Sequence, residues 1–107
     1  MSFFDFFKQQ PDIHTQLEAC RTQPGSVLLD VRTPQEYSQG HIPGSRSLPL
    51  QSVRSAGAFA PDKAAPVYVY CHSGARSRQA ARELERMGYT NVTDLGGMLS
   101  YAGEVEF

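Results

Sequence analysis

Tryptophan, a disulfide framework and an excess of either charge are missing from this sequence. Its 107 residues include two cysteines and carry a formal net charge of −1. So few cysteines are typical of a reducing compartment, and we expect a cytoplasmic protein. The near-neutral charge argues against nucleic acid as the main partner. No apolar run is long enough to span a bilayer, so we expect no membrane span.

Metal-ligand spacing and targeting signals are likewise absent. No CxxC pair occurs and His14, His41 and His72 are scattered, so we expect no metal site. The first ten residues hold four phenylalanines around Asp5 without a basic start or a cleavage site, which argues against a signal peptide. We expect this segment to pack on the domain or on a partner such as a second copy, with membrane-surface contact as the alternative. With no linker or repeat, the prediction is a single domain over residues 1–107.

What the sequence does contain is a strand, a cysteine, a tight loop and a helix in direct succession. The β-branched and aromatic run at 67–70 predicts a buried strand that ends at Cys71. Gly74 lies in the following loop, Arg76 comes five residues after the cysteine, and a helical pattern then continues to Gly88. Loop amides and a helix N-terminus together bind anions, and they lower the pKa of a thiol. We therefore predict that Cys71 is a nucleophile in an anion-binding cradle.

The remaining pattern predicts alternating helices and strands. Residues 27–31 form an apolar run typical of a parallel strand covered on both faces. Residues 33–36 form a capping box with Pro34 at the first helical position. The other predicted elements are a first helix from Pro11 to before Pro24, an edge strand at 47–50, a helical turn at 51–54, a long loop at 56–66, a strand at 91–95, a turn at 96–97 and a last helical turn at 98–102. This order indicates an α/β domain with a mainly parallel central sheet flanked by helices, and with its site beyond the carboxyl ends of the strands.

Several short pieces of the chain, taken in order, match one known family. They are Leu29-Asp30-Val31-Arg32, Glu36-Tyr37, Gly40-His41-Ile42-Pro43-Gly44-Ser45, Cys71-His72-Ser73-Gly74-Ala75-Arg76-Ser77, Gly88-Tyr89 and Leu95-Gly96-Gly97. Together they resemble a single-domain rhodanese, a sulfurtransferase of the thiosulfate type, over about residues 26–101. Tyr101 stands where this family often has a tryptophan, a difference that concerns packing. The resemblance implies the rhodanese-like three-layer fold.

The resemblance also implies covalent sulfur transfer without a cofactor. Cys71 would attack the outer sulfur of a small donor such as thiosulfate, and sulfite would leave. The Cys71 persulfide would then give its sulfur to cyanide, a cellular thiol or a protein acceptor. Loop amides would hold the persulfide and the donor, with added positive charge from the arginine. The implied substrate-binding residues are His72, Ser73, Gly74, Ala75, Arg76 and Ser77.

Other polar or reactive side chains have less direct roles in this interpretation. The resemblance implies a structural hydrogen-bonded network formed by Asp30, Arg32, Glu36 and His41. Pairing with a carboxylate is the alternative role for Arg76, and whether Arg78 contacts substrate stays open. His72 is disfavoured as a base for Cys71 because neighbours in a tight loop rarely face each other. Cys20 lies on the apolar stripe of the first helix, where we expect a core residue.

Other functions stay open at this point. Cysteine phosphatases and arsenate reductases of similar fold also place a cysteine and an arginine between strand and helix. Those related to rhodaneses have one more residue between the two. The four residues between Cys71 and Arg76 give a smaller cradle, suited to a sulfur atom. A non-catalytic binding module is a further alternative, although inactive relatives usually lose the cysteine. A persulfide relay to a protein partner would use the same chemistry with another acceptor.

Overall fold

A four-stranded parallel sheet forms the centre of the protein, whose computed structural model describes residues 12–107. The strands, in the spatial order β2-β1-β3-β4, are β1 (Val27–Asp30), β2 (Arg46–Ser47), β3 (Val67–Cys71) and β4 (Val92–Gly97). The helices are α1 (Ile13–Thr22), α2 (Pro34–Ser38) and α3 (Ala75–Arg86), with 3-10 helices at Leu50–Ala58 and Met98–Ser100. The predicted α/β class, with helices flanking a parallel sheet, is confirmed. None of the helices in this part of the chain is long and apolar enough to cross a bilayer.

The helix starts follow from local capping chemistry. The Asp12 carboxylate accepts a hydrogen bond from the Thr15 amide at 2.8 Å and so caps α1. At α2, Thr33 and Glu36 form the predicted capping box, with proline in the first turn. The phenylalanine-rich segment 1–10 and the predicted helix start at Pro11 lie outside the described residues.

Two apolar cores lie on opposite faces of the sheet. Alternate residues of a strand point to opposite faces, so Tyr70 and Cys71 separate into different cores. The Tyr70 core is covered by α1, whose buried side chains include Cys20. The Cys71 core is covered by the 3-10 helix Leu50–Ala58 and by α3. The sulfur of Cys71 therefore belongs to the α3 side of the sheet.

The segment between β2 and β3 differs from the prediction. The edge strand is residues 46–47, and Pro49 lies beyond it, at the start of the 3-10 helix. The predicted helical turn at 51–54 is part of this longer helix, so the prediction of a loop from residue 56 was wrong. Burial of Val53 and Ala56 against the sheet and α3 explains the extension. Because this contact is tertiary, local glycine and proline signals did not reveal it.

The double glycine near the end of the chain lies in a strand, and the predicted turn there was wrong. Gly96 pairs with Tyr70 and Gly97 pairs with Cys71, after a register shift that accommodates an extra residue in β4. A Cβ atom on Gly97 would lie 2.1 Å from the carbonyl oxygen of His72. Glycine is therefore required for β4 to approach the backbone that follows the cysteine. The predicted final helical turn is the 3-10 helix Met98–Ser100.

Replacing Gly97 with alanine tests this close approach. Since the added methyl group would meet backbone and not a movable side chain, we expect Gly97→Ala to lower the free energy of unfolding by about 3 kcal/mol or more. Gly57→Ala is the matched control, because a Cβ atom at Gly57 meets nothing within 4 Å, and this variant should not lower the free energy of unfolding. Urea unfolding of both variants measures the difference. Equal stability of Gly97→Ala and the wild type would contradict the contact.

Candidate active site

The site is built around the sulfur of Cys71, the last residue of β3. The side chain is 1% exposed, and the Gly74 amide donates a hydrogen bond to Sγ at 3.0 Å. Burial alone would raise the pKa of Cys71. Hydrogen bonds from the Ser77 amide and hydroxyl and from the amides of Gly74 and Arg76 outweigh it, and the pKa lies below the ordinary value. The arrangement therefore favours a thiolate at a position sheltered from water.

The amides around this sulfur come largely from the start of α3. The helix begins at Ala75, with Gly74 as its N-cap at φ +106°, a left-handed conformation that suits glycine. The sequence-based placement of Arg76 and Ser77 in a loop was therefore wrong, because both lie in the first helical turn. Amides of a first turn have no acceptor within their own helix. They are thus available to the sulfur and to an anion beside it.

Three of the predicted substrate-binding residues have their side chains in solvent and not at the sulfur. The side chains of His72, Ser73 and Ala75 are exposed. The His72 carbonyl accepts a hydrogen bond from the Leu99 amide at 3.1 Å, whereas its ring makes no hydrogen bond to Cys71. The geometry therefore gives His72 no contact through which to act as a base on the cysteine.

Arg76 forms an ion pair with Glu36, the alternative that the sequence left open for this arginine. Its two terminal nitrogens donate to the two carboxylate oxygens of Glu36 at 2.6 and 3.0 Å. Mainly because of these hydrogen bonds, the pKa of Glu36 is lowered from 4.5 to about 2. The same carboxylate accepts from the Thr33 amide in the capping box. The pair thus ties α2 to the first turn of α3, next to the cysteine.

The remaining network residues form two separate contacts. Arg32 donates to the buried carboxylate of Asp30, with a shortest distance of 2.7 Å, and to the Gly40 carbonyl at 2.8 Å. His41 contacts the Tyr37 carbonyl through Nδ1 at 2.8 Å and stacks on the Tyr37 ring. The first contact joins the end of β1 to the turn after α2, and the second holds that turn to α2 itself. The four predicted network residues therefore lie in three pairings, one of which reaches the site.

Two further side chains from the sequence analysis, those of Arg78 and Cys20, lie outside this arrangement, whereas Ser77 belongs to it. Arg78 is exposed and forms no ion pair with another residue of 12–107. Cys20 is 6% exposed in the opposite core, and burial raises the pKa of its thiol. The buried Ser77 hydroxyl donates to the Gly74 carbonyl at 3.1 Å, and Ser77 helps to lower the pKa of Cys71 through its amide and its hydroxyl. In the described part of the chain no group of three histidine, cysteine or acidic side chains is arranged to hold a metal ion.

Comparison with known proteins places this geometry in a family. Residues 11–104 match the model of the rhodanese-like domain. The thiosulfate sulfurtransferase PspE of Escherichia coli is 44% identical over 75 residues, which cover 69% of this chain and 72% of that protein. The thiosulfate sulfurtransferase GlpE of Pseudomonas fluorescens is 40% identical over 91 residues, covering 85% of this chain and 80% of that protein. A solved structure of a rhodanese with anions from E. coli superposes with a TM-score of 0.71 at 38% identity, covering 76% of this chain and 96% of that one.

The chain belongs to the rhodanese-like family. Both the family and the fold predicted from the short motifs are thereby confirmed. The named relatives also support the sulfurtransferase class of enzyme. The cytoplasmic compartment, the single domain over residues 1–107 and the packing of the first ten residues stay predictions.

Substituting Glu36 tests the ion pair with Arg76. A carboxyl with a lowered folded-state pKa stabilises the fold above its unfolded pKa, and this stabilisation is lost as the pH falls through the folded pKa. The contribution of Glu36 should thus be full above about pH 5 and largely gone near pH 2. We expect Glu36→Gln to cost about 1 kcal/mol at pH 7 and clearly less at pH 3. Denaturant unfolding at both values measures this, with the exposed Glu85→Gln as a control that should show no such dependence.

Substituting Ser77 tests the hydroxyl beside the sulfur. Because that hydroxyl helps to lower the pKa of Cys71, we expect Ser77→Ala to move the pKa upward. The fold should persist, since the Gly74 carbonyl that the hydroxyl contacts also accepts from the Arg78 amide. Thiolate absorbance against pH, in a Cys20→Ser background, gives the midpoint directly. An unchanged midpoint would contradict this role, and Ser55→Ala, an exposed position, is the control.

Proposed function

We propose that the protein is a thiosulfate sulfurtransferase that carries the transferred sulfur as a persulfide on Cys71. The observation that carries the proposal is the hydrogen bond from the Gly74 amide to Sγ, at the end of a central strand, together with the lowered pKa of that thiol. A thiolate is the nucleophilic form of cysteine. The names of the relatives indicate thiosulfate as the donor to be tested first.

In the first step the Cys71 thiolate attacks the outer sulfur of thiosulfate. A bond forms between Sγ and that sulfur while the sulfur–sulfur bond of the donor breaks, and its electron pair leaves with sulfite. The product is a persulfide anion on the cysteine, and no proton has to be moved. Since Cys71 is 1% exposed, a donor must present a narrow terminal atom, which thiosulfate does. A bulky electrophile is disfavoured at such a site.

In the second step an acceptor takes the outer sulfur of the persulfide. A cyanide carbon or a thiolate sulfur attacks it, the bond to Sγ breaks, and its electron pair restores the Cys71 thiolate. The thiolate is then ready for another donor, so one set of amides serves both halves of the reaction. Stabilisation of the anion by fixed dipoles lowers the barrier without reorganisation of solvent.

The cradle residues contribute mainly through their backbone in this mechanism. The amides of Gly74, Arg76 and Ser77 would hold the persulfide, and the backbone of His72, Ser73 and Ala75 would border the donor. The Arg76 guanidinium would add positive charge for the donor oxygens, although Glu36 already occupies its two terminal nitrogens. We therefore expect a smaller electrostatic effect of this arginine than an unpaired one would have.

The same ion pair argues against phosphoryl or arsenate chemistry. Enzymes that cradle a tetrahedral anion commonly use a bidentate arginine for its oxygens. In this protein the two terminal nitrogens of Arg76 are directed to Glu36 instead. With the short spacing between Cys71 and Arg76, this favours sulfur transfer over phosphatase activity.

The proposal is tested by treating the protein with thiosulfate and measuring its mass. We expect a gain of one sulfur atom on Cys71, reversed by cyanide with release of thiocyanate. Cys71→Ser should abolish both changes. Cys20→Ser is the matched control and should retain them, because Cys20 lies in the core on the other face of the sheet. Sulfur gain in Cys71→Ser, or its absence in the wild type, would refute the proposal.

A further inference from the structure

A basic groove runs beside the site on the α3 face of the protein. We define it by the side chains that line it, from the 3-10 helix and from α3: Leu50, Gln51, Val53, Arg54, Gln79, Arg82, Glu83 and Arg86. An adjoining depression adds Lys63 and Met87 to the same surface. Leu50, Val53 and Met87 give the surface an apolar floor, since each also packs against the Cys71 core.

The charge of this groove contrasts with that of the chain. Arg54, Arg82, Arg86 and Lys63 supply four cations, against the single carboxylate of Glu83. The chain as a whole carries −1. Glu83 accepts from Arg54 at 3.0 Å and from Arg86 at 3.4 Å, and it cannot neutralise all four cations. The side chains of Arg54 and Arg86 are 84% and 74% exposed, so they reach into solvent.

The groove begins within one helical turn of the amides that hold the sulfur. The Ser77 amide holds the sulfur of Cys71, while Gln79, Arg82 and Arg86 form another stripe of the same helix, on the side turned away from Ser77. At a rise of about 1.5 Å per residue, Arg86 lies about 14 Å along the axis from Ser77. The groove and the sulfur also lie on the same face of the sheet. A segment bound in the groove would therefore have to extend past the start of α3 to bring a second group to Cys71.

The composition of the groove favours a polypeptide as its occupant. Exposed arginines attract carboxylates, and an apolar floor accepts aliphatic side chains, a combination that suits an acidic peptide segment. Single-stranded nucleic acid is usually bound with aromatic stacking platforms. The residues lining the groove, all from the described part of the chain, include no aromatic side chain. A small anion would need donors that converge on one point, whereas these cations are distributed over α3, the 3-10 helix and the loop that holds Lys63.

We propose that the basic groove docks an acidic segment next to the acceptor cysteine of a partner protein, so that Cys71 passes its sulfur to that protein thiol. This inference rests on the proposed function, because it names the acceptor for the same persulfide. The partner thiolate attacks the outer sulfur of the Cys71 persulfide, and the electron pair of the broken bond returns to Sγ. The partner then carries the persulfide, and no oxidant or reductant is consumed.

Two synthetic peptides test the groove. Each contains one cysteine, flanked by glutamates in one peptide and by the same number of glutamines in the other. With thiosulfate-loaded wild-type protein, we expect sulfur transfer to the acidic peptide to be about fivefold faster at low salt, with the preference disappearing at high salt. The double variant Arg82→Gln/Arg86→Gln keeps the ion pair between Arg54 and Glu83. In this variant the two peptides should accept sulfur at nearly equal rates, while sulfur transfer to cyanide is unchanged.

The outcomes separate the two proposals. Absence of persulfide or thiocyanate formation in the wild type refutes the proposed function itself. If both form but the peptides react equally, or if the double variant keeps its preference, the groove proposal alone fails. Arg21→Gln, on exposed α1 surface, is the control and should keep the preference. If a single-stranded oligonucleotide inhibits sulfur transfer to the acidic peptide more strongly than a cysteine-free acidic peptide does, the groove binds nucleic acid and the proposal is overturned. If the wild type forms a dimer that the double variant does not form, the groove binds a second copy, and the proposal is likewise overturned.

Discussion

The structure depends on one interaction, the convergence of backbone amides on the sulfur of Cys71. Burial by itself would keep that sulfur protonated, because a charge is costly away from water. Amides from Gly74 and from the first turn of α3 reverse the balance, since they supply fixed positive partial charges where water is excluded. The rest of the domain holds β3 and α3 at the angle that makes this convergence possible.

Several contacts around the site serve this positioning. The ion pair between Arg76 and Glu36 ties α2 to the start of α3, so that the helix whose amides bind the sulfur is braced from the side. On the other flank, Gly97 lets β4 pass close to the backbone that follows Cys71. Each of these contacts acts on backbone placement, and the hydrogen bond that reaches the sulfur comes from the Gly74 amide. The chemistry of the site is thus largely a property of main-chain geometry.

The parts of this design that sequence reasoning predicted are local ones. A capping box and an apolar run ending at Cys71 are each encoded within a few residues, and the structure contains both. The contacts that it missed join distant segments. Glu36, the partner of Arg76, lies 40 residues away in the sequence. Position 97 requires glycine because of the His72 carbonyl, which belongs to the loop after the neighbouring strand β3. Such contacts become visible only when the sheet order is known, because several carboxylates were equally available to the arginine.

The separation of the two thiols by the sheet has a consequence for oxidative stress. Cys20 and Cys71 belong to different cores, and the sequence has no third cysteine. An oxidised sulfenic acid on Cys71 therefore has no resolving thiol within the folded chain. Its reduction back to the thiol depends on a thiol from another molecule. The fraction of Cys71 that stays reduced under peroxide is therefore set by the reductants around the protein.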